Sequence, residues 1–125
     1  MKLKLIISKF SIKEQLYNGV KPSAKHSLTK KLVNALFSKR WIVIPLDGKQ
    51  FYKIYIENKH YRAVVYKNPN AEDSYILIYF RSKDDPASEN IAGYQNYSMQ
   101  VLRANQNKIA ECIKNKQFII LEFEK

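Results

Sequence analysis

The chain has 125 residues, 46% of them hydrophobic, with only three glycines and four prolines, a composition that builds one folded domain with a real core and excludes an extended disordered chain. Twenty-two Lys and Arg stand against eleven Asp and Glu, a formal charge of +11 that favours a polyanion as partner and disfavours acidic surfaces built for cationic ligands. Cys112 is the single cysteine, so neither an internal disulfide nor a cysteine-cluster metal site can form.

The charge is unevenly placed. Residues 1–67 carry 15 basic and 3 acidic side chains, +12, whereas residues 68–125 carry 7 and 8, −1. Counterion release would make binding of a nucleic acid to the first half steeply salt-dependent. The opening run Met1 to Ile7 is basic then apolar, but Lys9 cuts it short and no small-residue cleavage site follows, so no signal peptide is expected. No stretch is long enough to span a bilayer, and a cytoplasmic protein without membrane contact is the default expectation.

In chain order, the alternation of Leu3, Leu5 and Ile7 predicts a strand over 3–8. Ser11 and Glu14 form a capping-box pattern that predicts a short helix closed near Gly19. A second helix is predicted from Ser27 to Lys39, with Leu28, Leu32 and Leu36 on one face, Val33 and Phe37 flanking, and Lys30, Lys31, Asn34 and Ser38 in solvent. Trp41 to Ile44 reads as a strand ended by Pro45, and Asp47-Gly48 as a turn. Strands follow over 51–57, 60–67 and 74–81, with Asn68-Pro69-Asn70 as the loop before the last. A helix over 97–115 turns Val101, Leu102, Ile109 and Ile113 inward, and Phe118 to Phe123, apolar on both sides of the pleat, reads as a strand docked into the sheet. The order β, α, α, strands, α, β describes a single α+β domain over 1–125, with helices packed on one face of a mainly antiparallel sheet.

One side of that sheet is expected to meet the helices: Tyr52, Ile54, Ile56, then Tyr61, Ala63, Val65, then Ile76, Ile78, Phe80. The other side then holds Phe51, Lys53, Tyr55, then His60, Arg62, Val64, Tyr66, then Tyr75, Leu77, Tyr79, Arg81. A two-residue turn at Asn58-Lys59 sets Tyr55 opposite Arg62 and Lys53 opposite Val64. Such a row of cations and phenols suits a polyphosphate chain. Metal-free RNA scission needs a base for the 2′-hydroxyl, a charge clamp for the phosphate and an acid for the leaving 5′-oxygen. Arg62 and Arg81 suit the clamp, because guanidinium forks match phosphate oxygens. His60 and Lys53 are candidates for the base, and Tyr55 or Tyr79 for the acid or a stacking surface.

Each of these residues has a plainer alternative. His60 reads equally well as a solvated loop histidine and His26 as a helix-start residue. Tyr66, Tyr75 and Tyr79 could merely cover sheet, and Lys59, Lys67 and Lys83 could supply long-range attraction alone. Two histidines far apart, with no acidic cluster at ligand spacing, point away from a metal site.

The stretch Tyr52-Lys53-Ile54, followed by Tyr61-Arg62 and Val64, resembles the central hairpin of the RelE-like messenger-RNA-cleaving toxins, in the RelE/ParE superfamily of bacterial toxin–antitoxin systems. The resemblance covers residues 1–94 and is specific over the hairpin and the strand after it. It implies a RelE-like fold and a basic endoribonuclease that inhibits translation by cutting mRNA, in the family usually inside the ribosomal A site. It also implies a cognate antitoxin as partner and no cofactor. By resemblance, Lys53 matches an active-site lysine, Arg62 the catalytic arginine and Arg81 a further basic residue. Tyr94 matches the tyrosine beyond it, and Lys59, Tyr66, Tyr79 and Lys83 would line the RNA path. Tyr55 stands where the family has a second lysine, which leaves the proton acceptor open, and the stretch from Tyr97 to Lys125 is longer than the family's usual ending. A colicin-like tRNase and a non-enzymatic basic nucleic-acid-binding module are the alternative readings.

Overall fold

The structure, a computed structural model, describes residues 2–10, 16–18, 25–58, 60–68, 71, 73–82 and 97–124. The elements in chain order are β1 (Lys2–Ser8), β2 (Leu16–Asn18), α1 (Lys25–Phe37), β3 (Ile42–Leu46), β4 (Lys49–Ile56), β5 (Tyr61–Lys67), β6 (Ser74–Ser82), α2 (Tyr97–Lys114) and β7 (Phe118–Glu124). This is an α+β fold on one mixed sheet.

The strands lie in the order β3-β4-β5-β6-β1-β7, and β2 pairs with β6 beside that path. Three tight meanders make β3 to β6 antiparallel, and β7 runs antiparallel to β1. The parallel pairs are β1 with β6 near Ser74 to Ile76 and β2 with β6 near Phe80 and Arg81, so one edge of β6 is served by two successive segments of the amino-terminal chain. The expected short helix is modified. Lys9 and Phe10 are helical, Leu16 to Asn18 are strand, and residues 11–15 and 19 lie outside the described residues.

The β3–β4 connection is the two-residue turn that Asp47-Gly48 announces, with φ of 52° and 78° and Leu46 paired with Lys49. The strand does not stop at Pro45 but runs through it. Because β3 is the sheet's edge, the missing amide hydrogen of proline leaves no ladder bond unmade. Both helices end alike. Arg40 N donates to Ala35 O at 3.0 Å and Lys39 N to Leu36 O at 3.2 Å, while Gln117 N donates to Cys112 O at 2.8 Å and Lys116 N to Ile113 O at 3.1 Å. These are Schellman closures, with Lys39 and Lys116 in the left-handed position that glycine usually holds.

The core divides into two clusters, one on each sheet face. On the first, Leu28, Leu32, Val33, Ala35 and Leu36 of α1 bury against Leu3, Leu5, Ile7, Ile54, Ile56, Ala63, Val65, Leu77 and Phe80. On the second, Leu102 and Ile109 of α2 bury against Ile44, Leu46, Phe51, Val64 and Ile78, with Ile76, Tyr66 and Ile113 at the margin. The expectation of helices on one face therefore gives way to a sheet flanked by one helix on each side. An amphipathic helix declares that it has an apolar stripe, and the second face carries Phe51, Val64 and Ile78 to receive it.

Strand β6 also departs from simple alternation. Val64 pairs with Tyr79 but Val65 pairs with Leu77, so Ile78 is an extra residue, a β-bulge. Before the bulge, Tyr75 and Leu77 join the α1 cluster and Ile76 and Ile78 the α2 cluster, the reverse of the sequence expectation. After it, Phe80 returns to the α1 cluster as expected. The last strand, β7, is docked on β1 but lies at the sheet edge, where Ile119 and Ile120 are each 47% exposed.

Candidate functional site

The β4–β5 hairpin holds the register that its sequence announces. Tyr55 pairs with Arg62 and Lys53 with Val64, because Ile54, Ile56, Ala63 and Val65 must all reach the α1 cluster and a slip of one residue would expose them. His60 N donates to Glu57 O at 2.9 Å, which closes the turn. Glu57 and Asn58 both take positive φ there, 54° each.

Register continues this arrangement into β6. Arg62 is opposite Arg81 and Val64 is opposite Tyr79, so two rows run across three strands: Tyr55, Arg62, Arg81 and Lys53, Val64, Tyr79. Paired residues lie about 4.5–5.5 Å apart at Cα.

Side-chain contacts draw the first part of this group together. Lys53 Nζ lies 4.5 Å from the Tyr55 ring centroid and the Arg62 guanidinium carbon lies 5.5 Å from the same centroid. The negative face of one phenol ring thus holds two cations that would otherwise repel each other. Tyr55 and Arg62 are half-buried. Lys53 is only 6% exposed, in contrast to the open cationic row expected from sequence: it pairs with Val64 and stands two residues from Phe51, both buried in the α2 cluster.

The remaining candidates are distributed more widely. His60 is exposed in the turn, and its ring meets Tyr61 edge-on at 4.7 Å, a ring that packs on the α1 cluster. Tyr66 lies four residues beyond Arg62 on β5, roughly 13 Å along the strand. It packs on Phe51 at 5.2 Å, with Lys49 Nζ at 5.9 Å from its ring. Lys59, Lys83 and Tyr94 lie outside the described residues. Lys49 was not singled out by sequence reasoning. The signal was available, since 49, 51, 53 and 55 alternate onto one side of β4.

Among the described residues no group of three His, Cys, Asp or Glu could hold a metal ion, and no helix is long and apolar enough to cross a membrane. The Lys53, Tyr55 and Arg62 cluster brings two cationic groups to one phenol ring, with the lysine buried and the arginine half-buried. In comparisons with protein-family models, with curated proteins and with solved structures, nothing matches the chain, so the likeness of its hairpin to the RelE-like toxins rests on the hairpin's residues alone.

Proposed function

We propose that this protein is a basic endoribonuclease of RelE-like type, a toxin that cuts mRNA without a metal and is restrained by a cognate antitoxin. The observation that supports this reading is the convergence of Lys53 and Arg62 on the Tyr55 ring, with Arg81 in register across from Arg62. In the proposed reaction the 2′-hydroxyl loses a proton and attacks the adjacent phosphorus in line. The 5′-oxygen leaves protonated, and the products are a 2′,3′-cyclic phosphate and a 5′-hydroxyl. Arg62 and Arg81 hold the non-bridging oxygens as charge builds on them, and Lys53 contributes a fixed positive field from beneath. Tyr55 orients both cations and offers its ring to a base. His60 is the candidate base; it would act from the hairpin turn.

The test is incubation with RNA in the presence of chelator, with and without ribosomes, followed by mapping of the ends. Arg62→Ala is expected to lower the cleavage rate by about 100-fold to 1000-fold, the usual cost of a donor that serves the transition state. RNA affinity should fall far less. The low exposure of Lys53 favours a second reading, a non-enzymatic RNA-binding module in which this lysine braces the hairpin and the arginines merely hold phosphates. Wild-type protein that binds RNA and leaves it uncut in every condition would establish that reading instead.

A further inference from the structure

The two outer strands of the sheet are guarded differently. At one edge β3 carries Pro45, which has no N–H to offer, a common safeguard against pairing with another chain. At the other, β7 runs for seven residues with no proline, no glycine and no break in its register with β1, and among the described residues no strand pairs with its outer side. One bond fixes the direction of its backbone groups. Lys9 N donates to Gln117 O at 2.9 Å, and these two residues continue the β1–β7 register by one step. Hydrogen-bonded pairs alternate along an antiparallel ladder, so Ile119, Leu121 and Phe123 bond inward to β1, while Phe118, Ile120, Glu122 and Glu124 turn N–H and C=O to the open side.

We propose that β7 pairs antiparallel with β7 of a second copy of this chain, with Ile120 on the twofold axis, so that two sheets join edge to edge. Phe118, Ile120 and Glu122 of each copy then exchange backbone hydrogen bonds. That register sets Ile120 opposite Ile120 and Ile119 opposite Leu121, so the two exposed isoleucines of each copy meet apolar partners. Charge selects the antiparallel arrangement. The strand follows Lys114 and Lys116 and ends in Glu122 and Glu124, so antiparallel copies bring each acidic end to the other's basic end, whereas parallel copies in register would set glutamate against glutamate. Glu122 falls opposite Phe118, with its carboxylate already 3.8 Å from Lys4 Nζ of its own chain. A twofold contact of this kind closes on itself and stops at the dimer. The surface lies across the sheet from the cation cluster on β4 and β5 and does not depend on the proposed cleavage activity.

The test is sedimentation of the full chain from micromolar to millimolar concentration, in about 0.15 M salt to screen the net charge, joined to amide hydrogen exchange. A monomer–dimer equilibrium is expected. As the dimer fills, the amides of Phe118, Ile120 and Glu122 should gain protection, while those of Ile119, Leu121 and Phe123, already bonded to β1, should not change. Ile120→Lys sets like charges against each other across the axis and should raise the dissociation constant about tenfold or more. Ile120→Pro removes an outward N–H without taking a bond from β1 and should abolish the dimer. Thermal melts of both variants establish that they are folded. A chain that sediments as a monomer at millimolar concentration overturns the proposal, whether or not an added peptide of repeating Lys-Val protects the same three amides. A dimer that survives both substitutions, or that leaves those amides exchanging as in dilute solution, overturns it as well.

Discussion

The two faces of this sheet do different work with the same strands. On the α1 face, Ile54, Ile56, Ala63, Val65 and Phe80 form an unbroken apolar surface under Leu28, Leu32 and Leu36, and every position is occupied for packing. On the α2 face, Phe51, Val64 and Ile78 take the helix, while Lys53 in the row of Val64 and Arg62 in the row of Tyr55 carry charge beside the Tyr55 ring. A face covered throughout can only stabilise the domain. A face covered in part can be stabilised by its helix and still present cations, with the fold holding them in register.

That contrast is open to a direct challenge at Phe80, which is fully buried and centred on the α1 face. Phe80→Ala is expected to cost about 3–5 kcal/mol, a large share of the stability of a domain this size, through lost burial and the cavity left behind. Urea denaturation measures it. A cost under about 1 kcal/mol would mean that the α1 face is not the structural half.

The division is sharpened by Lys53, whose burial makes it the member of the cation cluster most open to a purely structural explanation. Replacing a buried charge by an apolar side chain of similar length is often neutral or stabilising. Lys53→Met should therefore leave the urea midpoint unchanged or raise it, while RNA cleavage falls by about 100-fold or more if the ammonium field serves the transition state. A loss of stability comparable to that of Phe80→Ala would show instead that the ammonium group and the Tyr55 ring hold the fold.

The sequence makes the two faces legible to different degrees. The hairpin register follows from residues alone, because Ile54, Ile56, Ala63 and Val65 alternate cleanly and the tight turn permits few pairings. Helix α1 is equally plain from the spacing of Leu28, Leu32 and Leu36. Strand β6 is not, because the run Tyr75 to Phe80 is apolar or aromatic at every position and no glycine marks the bulge at Ile78. A period of two therefore puts Tyr75, Ile76, Leu77 and Ile78 on the wrong faces, and only Phe80, beyond the bulge, on the right one. The side on which α2 packs is illegible for a related reason: Phe51 and Val64 read as apolar members of an open face, and nothing local states that a helix far along the chain will cover them. In the candidate site, the register alone brings Lys53, Tyr55 and Arg62 together, whereas the depth of Lys53 depends on the helix that covers its row and is not legible in the strand.

The smallest expected effect separates the faces by pH. Tyr75 is buried in the α1 cluster, its ring 6.1 Å from that of Trp41, and its hydroxyl pKa is raised above the ordinary tyrosine value, first by burial, then by the Asp73 carboxylate and by Tyr52. Below the pKa of the unfolded chain, about 10, both states hold the proton and stability is indifferent to this group. Above it the unfolded chain releases the proton while the folded chain keeps it, so the native state binds more protons and stability falls as pH rises. Tyr75→Phe removes that titration. Urea midpoints measured from pH 9 to pH 11 should fall less steeply in the variant than in the wild type, and the two curves should run parallel below pH 9. Identical slopes above pH 10 would place the Tyr75 hydroxyl in contact with water, and the α1 face would then be less continuous than its packing requires.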